Sequence, residues 1–224
     1  MTSAEKEQAL SLMKRNISRE LNESEYMLPH AYFRTTVDAT NMIRFRQKNS
    51  DPKPSCDDII IKVVAKSLRE YPQINSSLTG KKIVIHQKVN IGLTLSLEEG
   101  TVVAVVRDAD QLSIEIISQR TKELIKNAKI NRLTSEDIAG ATFTISNLSM
   151  FQIDEYFPVI NPPESGTLGI GRIQEKVTVK HGGINIRPEM PLTMSVDNRF
   201  VDEAIAAQFL QCIKESLESL PNIR

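Results

Sequence analysis

The sequence has little that could build a disulfide framework, a metal site or a membrane span. Its 224 residues include two cysteines, three histidines and no tryptophan. Cys56 and Cys212 lie far apart and lack C-x-x-C spacing, so we predict reduced thiols and no metal. Residues 1–16 are charged, and no stretch approaches the roughly 18 apolar residues of a membrane helix. We therefore expect a soluble, cytoplasmic protein with no membrane partner.

An excess of either charge is also missing. The 28 lysines and arginines equal the 28 aspartates and glutamates, so there is no basic field for nucleic acid. The phosphate-binding, dinucleotide, zinc-protease and serine-elbow motifs are absent, which disfavours those mechanisms. The histidines His30, His86 and His181 have no neighbour at metal-ligand spacing and are interpreted as ordinary strand or turn residues.

Helical periodicity is present in several segments. Residues 4–24 place four apolar side chains on one helical face, namely Leu10, Met13, Ile17 and Leu21. Ser55 and Asp58 predict a capping box at the start of a helix over residues 56–70. Further helices are predicted over residues 113–130 and 202–220, with another capping signal at 134–137.

Segments rich in β-branched residues alternate with these helices. They predict strands at 31–38, three between 82 and 107, and further strands at 141–146, 167–173, 176–180, 184–187 and 192–197. Strands and helices interleave, but hairpins are frequent, so the sheet should be mixed rather than purely parallel. The predicted fold is α/β, or α+β with a mixed sheet, in a single domain over residues 1–224.

Short segments along the chain follow one another in a characteristic order and spacing. They are LPH at 28–30, DIIIK at 58–62, YPQIN at 71–75, VNIG at 89–92, VVRDAD at 105–110, TFTISNLSMF at 142–151, INPP at 160–163, GIG at 169–171 and SVDNRFVDEA at 195–204. Together they resemble the catalytic domain of the dihydrolipoamide acyltransferases of 2-oxo acid dehydrogenase complexes. Chloramphenicol acetyltransferase is a more distant relative.

This resemblance implies a chloramphenicol acetyltransferase-like two-layer sandwich. It also implies a homotrimer whose active sites lie between subunits, with CoA and dihydrolipoamide entering a channel from opposite ends. The family's H-x-x-x-D-G motif places its proton-accepting histidine at position 198 of this chain. Ser146 would donate a hydrogen bond to the oxyanion, and Asp202 would hold the site's architecture. Lys14 and Arg15, in the first helix, would contact CoA.

Departures from the family pattern are concentrated in the terminal motif. Asn198 replaces the histidine, and an amide cannot accept a proton near neutral pH. Glu203 replaces glycine and adds a charged side chain. Glu20 places a negative charge where the family's first helix is basic, which weakens the expectation of CoA binding.

The sequence shows neither a lipoyl domain nor a peripheral subunit-binding domain, so we expect no lipoyl group on this chain. Three functions stay open. The first is a catalytically impaired trimer with a structural or regulatory role, in which the partner could be an active acyltransferase subunit or a lipoyl-bearing protein. The second is an active CoA-dependent acyltransferase that uses Ser146 with another base or a substrate thiolate. The third is a protein that binds another ligand in the channel.

Overall fold

The computed structural model of the protein describes residues 28–49, 53–97, 100–180 and 182–220. The helix predicted over 4–24 lies outside these residues. The strands are β1 (His30–Asp38), β2 (Ser76–Thr79), β3 (Lys82–Ile85), β4 (Ile91–Leu97), β5 (Gly100–Val106), β6 (Phe143–Asn147), β7 (Gly166–Ile170), β8 (Gln174–Lys180) and β9 (Gly183–Asp197). The helices are α1 (Thr40–Lys48), α2 (Cys56–Glu70), α3 (Ile114–Lys129), α4 (Ser135–Ile138) and α5 (Glu203–Glu218), with a 3₁₀ turn at Ser149–Phe151.

The main sheet is mixed, as the interleaved pattern predicts. Its strand order is β1-β9-β7-β6-β4-β5, and β8 pairs with the first part of β9. Strands β4, β6 and β7 run parallel, whereas β5, β9 and β1 join antiparallel to their neighbours. Strands β2 and β3 form a separate antiparallel pair. The expected α/β class with a mixed sheet is therefore confirmed.

Capping side chains fix where helices α2 to α5 begin. Ser55 accepts a hydrogen bond from the Asp58 amide while the Asp58 carboxylate accepts from the Ser55 amide, so the predicted capping box is confirmed. Thr134 and Asp137 form the second predicted box at α4. Ser113 caps α3, a helix in which Ile114, Ile117 and Leu124 are buried.

Two strand predictions were wrong. The segments predicted at 184–187 and 192–197 are one continuous strand, β9, although it contains Pro188 and Pro191. Each proline lacks an amide hydrogen, but its carbonyl still accepts a backbone hydrogen bond, from Ala39 at 2.8 Å and from Gly171 at 3.0 Å. The prediction also missed β2, a four-residue strand held by its pairing with β3 rather than by a long β-branched run.

The main sheet has an apolar face and a polar face. Side chains alternate along a strand, and Phe143, Ile145, Leu168, Met194 and Val196 all point into the core with the helices. The intervening residues point the other way, and many of them are polar. They include Thr144, Ser146, Thr167, Thr193, Ser195 and Asp197.

An irregular segment covers much of this polar face. Residues 153–164, which we call the roof, connect the 3₁₀ turn to β7. The Thr193 hydroxyl donates to the Tyr156 carbonyl. A Cβ at Gly171 would lie 1.9 Å from the Asp154 carbonyl oxygen. The roof therefore lies directly on the strands, and glycine at 171 permits that close approach.

Candidate active site

The terminal motif forms a tight turn between β9 and α5. Asp197, the last residue of β9, is buried, and both of its carboxylate oxygens accept hydrogen bonds from the Arg199 guanidinium at 2.7–3.1 Å. Its carbonyl accepts from the amides of Phe200 and Val201. The paired, buried carboxylate fixes the backbone on both sides of position 198.

Asn198 is exposed at this turn. Its backbone amide nitrogen donates to the Pro29 carbonyl at 2.9 Å, and this hydrogen bond joins the turn to the start of β1. Its side-chain nitrogen lies 3.4 Å from Glu203 Oε1. The side chain can exchange hydrogen bonds, but it has no group that accepts a proton near neutral pH.

Asp202 is the N-cap of α5. Its carboxylate accepts hydrogen bonds from the amides of Ala204 at 2.8 Å and Ile205 at 3.2 Å. These bonds satisfy helix amides that have no intrahelical partner, and the negative charge is favourable at a helix N-terminus. In this chain Asp202 therefore orients the helix that follows the motif and carries Glu203 in its first turn.

His30 lies beside the motif, and both of its ring nitrogens contact backbone groups. It pairs with Asp197 across β1 and β9. Its Nδ1 lies 2.7 Å from the Leu28 carbonyl, and its Nε2 lies 3.3 Å from the Ile160 amide. A carbonyl only accepts and an amide only donates, so this geometry assigns the proton to Nδ1. The ring joins the roof to β1 and does not present a free basic nitrogen.

Ser146 lies on the polar face of β6, close to the roof. Ser146 is 8% exposed. Its hydroxyl interacts with the Tyr156 phenol and lowers the pKa of that phenol. Burial acts in the opposite direction and more strongly, raising the pKa of Tyr156 to about 12. The next residue, Asn147, donates to Asp57 at the start of α2 at 2.5 Å, which fixes the end of β6 against that helix.

A single chain does not bring Ser146 and Asn198 together. In the sheet, Ser146 aligns with Gly169 of β7 and Thr193 of β9, five residues before Asn198. Four residue steps along β9, the step from Asp197 to Asn198 and two strand spacings separate the two Cα atoms by about 19 Å. The two residues that the sequence singled out for the same chemistry therefore occupy opposite ends of the polar face.

Glu164 was missed by sequence reasoning. It is 3% exposed, and its Oε1 accepts from the Asn161 side chain at 3.0 Å. Burial raises the pKa of Glu164 to about 7, although the nearby Thr144 hydroxyl and Asn161 oppose the shift. The sequence carried no local signal for it, because its burial depends on how the roof folds over the sheet.

Other predictions fall outside these sites. Lys14 and Arg15, the predicted CoA contacts, lie outside the described residues. Cys56 and Cys212 are free thiols, both half-buried. Within the described ranges, no three histidine, cysteine or acidic side chains cluster as a metal site would need. No helix in those ranges is long and apolar enough to cross a bilayer.

The chain has a fold in which a mixed sheet carries the helices on one face. Chloramphenicol acetyltransferase shares it, with a TM-score of 0.55 over 94% of this chain and 99% of that one, at 13% identity. The family model for the 2-oxoacid dehydrogenases acyltransferase (catalytic domain) matches residues 2–223. The chain therefore belongs to the 2-oxoacid dehydrogenase acyltransferase family.

A curated relative and three solved structures agree with this assignment. The acetyltransferase component of the Rickettsia felis pyruvate dehydrogenase complex is 36% identical over 92% of this chain. A probable dihydrolipoamide acetyltransferase from Listeria monocytogenes superposes with a TM-score of 0.94 at 30% identity, covering 99% of this chain and 98% of its own. The chain spans about half the length of the curated relatives it matches, 52% in the Rickettsia felis case.

Two further structures are similar at 26% identity. The Azotobacter vinelandii dihydrolipoamide acetyltransferase, studied for the roles of a serine, a histidine and an asparagine in its mechanism, has a TM-score of 0.94 over 97% of this chain and 93% of its own. The cubic core of a pyruvate dehydrogenase multienzyme complex has a TM-score of 0.93 with the same coverage.

Proposed function

We propose that this chain is an acyltransferase-family domain that has lost efficient transacylation and acts as a trimeric structural or regulatory subunit in the cytoplasm. The observation that carries the proposal is the side chain at position 198. The family motif has a histidine there, whereas this chain has an exposed asparagine. Transfer of an acyl group to a thiol needs a group that takes the thiol proton, and an amide does not supply one.

The neighbouring side chains do not replace the missing base. His30 has both ring nitrogens engaged by the backbone. The Glu203 carboxylate lies beside the Asn198 amide, but a solvated carboxylate is a much weaker base than an imidazole. Positioned general-base catalysis typically contributes about 10² to 10⁴ in rate, or roughly 3 to 5.5 kcal/mol of barrier. The proposal attributes a loss of that size to Asn198.

The separation of Ser146 and Asn198 supports the proposed assembly of several chains. About 19 Å of sheet lies between them in one chain, so a site that combines the two positions needs a second copy. A homotrimer with sites between subunits meets this requirement. The similarity to a cubic core is consistent with self-assembly.

The proposed substrates and partners follow from the family. The channel would admit CoA or acyl-CoA from one side and a dihydrolipoyl group from the other, with Lys14 and Arg15 as the CoA contacts. An active acyltransferase subunit, which would supply the base, is one proposed partner, and a lipoyl-bearing protein is the other. The structural role is then to complete or regulate the assembly.

The test is acetyl transfer from acetyl-CoA to dihydrolipoamide, measured with the assembled protein across pH. The variants are Asn198→His and, as a control without a basic group, Asn198→Gln. We expect the histidine variant to exceed the native chain by about 10²-fold or more, with the glutamine variant unchanged. Light scattering of each variant checks that the trimer is intact.

Other outcomes would overturn the proposal. If the native chain turns over as fast as the histidine variant, Ser146 and an ionised substrate thiol are sufficient, and the chain is an active enzyme. A thiol near its ordinary pKa is a few per cent thiolate at neutral pH, so such turnover would rise with pH. If a different ligand raises the melting temperature while CoA does not, the channel has become a binding site for that ligand.

A further inference from the structure

Four buried oxygen atoms between the sheet and the roof have no hydrogen-bond partner among the described protein groups. They are Oγ1 of Thr144, Oγ1 of Thr167, Oγ of Ser195 and Oε2 of Glu164. Eight buried side-chain atoms without a partner occur in the described residues, so half of them lie on this one surface. Buried polar groups are nearly always paired, and a cluster of unpaired ones needs a physical reason.

Three of the atoms form a row across the sheet. Thr144 of β6 pairs with Thr167 of β7, and Thr167 pairs with Ser195 of β9. Paired residues on one face have Cβ atoms about 5 Å apart. That spacing is too long for the hydroxyls to bond directly when they point outwards, but it suits a single atom that bridges two of them with bonds of about 2.8 Å.

Glu164 approaches the row from the roof. Its residue is 3% exposed, and Asn161 occupies Oε1 and leaves Oε2 unpaired. The Thr144 hydroxyl is close enough to lower the pKa of Glu164 but does not meet the geometry of a hydrogen bond. Burial keeps the pKa near 7, so the carboxyl carries a proton in a large share of molecules at neutral pH. A protonated carboxyl and three hydroxyls together can both donate and accept.

We propose that Glu164, Thr144, Thr167 and Ser195 bind one or more ordered water molecules between the polar face and the roof. A water donates two hydrogen bonds and accepts two, which matches a protonated carboxyl facing hydroxyls. A metal cation fits less well, because hard cations take six or more oxygen ligands, usually with ionised carboxylates. The bound water joins the roof to three strands next to the row that contains Ser146.

The first experiment measures the melting temperature of Thr167→Val, in which the hydroxyl is replaced by a methyl group of similar shape. Removing a hydroxyl that binds water removes a hydrogen bond and lowers the melting temperature. Removing an unpaired hydroxyl relieves a desolvation cost and raises it. Thr193→Val is the calibration, because the Thr193 hydroxyl donates to the Tyr156 carbonyl.

We expect both variants to melt lower than the native chain, by about 2 to 4 °C each. A Thr167→Val protein that melts higher would overturn the proposal, because the site would then be dry. Thr144→Val provides a second hydroxyl deletion in the same row if Thr167→Val does not fold. Neither measurement depends on acyl transfer, so the result is independent of the proposed function.

The second experiment is a crystal structure at a resolution that shows ordered water. The expected result is density within about 2.7–3.2 Å of Glu164 Oε2 and of at least one row hydroxyl. Hydroxyls bonded directly to one another or to Glu164 would refute the water site. A melting temperature that rises with potassium chloride but not with tetramethylammonium chloride, and only when Glu164 is present, would assign the site to a cation instead.

Discussion

Polar side chains are exposed to solvent at one end of the polar face and buried at the other. At the end that contains Asn198, the side chains of Asn198, Asp202 and Glu203 are exposed, and their bonds are local to the turn and the first turn of α5. At the end under the roof, Thr144, Thr167 and Glu164 are buried and have oxygen atoms without protein partners. The same face therefore has an exposed end and a buried end.

Because of this difference, the fold should tolerate substitutions at the exposed end better than at the roofed end. A substitution among exposed side chains usually alters stability by less than about 0.5 kcal/mol, so the residue at 198 is free to vary once catalysis is not required. A buried polar group costs about 1 to 3 kcal/mol when it loses its partner. We expect mutations to affect stability at the roofed end and activity at the exposed end.

The largest stability effect is expected for Gly171→Ala. The added Cβ would lie 1.9 Å from the Asp154 carbonyl oxygen, which belongs to the backbone and cannot rotate away. The roof must then separate from β7, and we expect a loss of more than about 3 kcal/mol of unfolding free energy. Urea unfolding of the variant beside the native chain measures it.

The control is Ser96→Ala, at an exposed position near the end of β4, which should unfold like the native chain. If Gly171→Ala were as stable as this control, the roof would not be held against the sheet, and the contrast between the two ends would disappear.

The next largest effect is the pH dependence that Glu164 gives to stability. The pKa of its carboxyl is about 7 in the folded chain, against an ordinary value of 4.5. Stability from this group is full below about pH 4.5, where both states are protonated, and it is lost as pH rises to about 7. The total loss is about 3 kcal/mol. Glu164→Gln, which cannot ionise, should remove this slope.

The measurement is the unfolding free energy of the native chain and of Glu164→Gln from about pH 4 to 8. If the native chain and Glu164→Gln lose stability in parallel, another group is responsible and Glu164 is not buried as described. Glu136→Gln, at the exposed start of α4, is a suitable comparison because it also removes a carboxylate.

A smaller effect is expected at Asp202. Asp202→Ala removes the N-cap of α5 and should cost about 1 kcal/mol, whereas Asp202→Asn keeps an oxygen that accepts from the Ala204 and Ile205 amides. Thermal unfolding of the two variants compares them. Equal losses of stability in the two variants would show that the negative charge of Asp202, rather than its N-cap hydrogen bonds, stabilises the start of α5.

The sequence predicted the local parts of this molecule better than the non-local ones. The capping box of Ser55 and Asp58 and the bounds of α2 depend on neighbours in sequence, and they were correct. The continuity of β9 through Pro188 and Pro191 depends on hydrogen bonds from distant residues, and the predicted break was wrong. The same reasoning applies to the site, because Asn198 stands inside a recognisable motif whereas the burial of Glu164 results from the roof folding over β6.

The smallest stability effect should come from Asn198→His, the change with the largest expected effect on activity. Asn198 holds the turn through its backbone amide, and its side chain makes a long contact of 3.4 Å with Glu203. Replacing that side chain should change the unfolding free energy by less than about 0.5 kcal/mol, measured by urea unfolding beside Asn198→Gln. A loss above about 1 kcal/mol in both variants would mean that the asparagine has a structural role. The exposed end would then resemble the roofed end, and Asn198 would be a residue the fold requires rather than one that catalysis no longer needs.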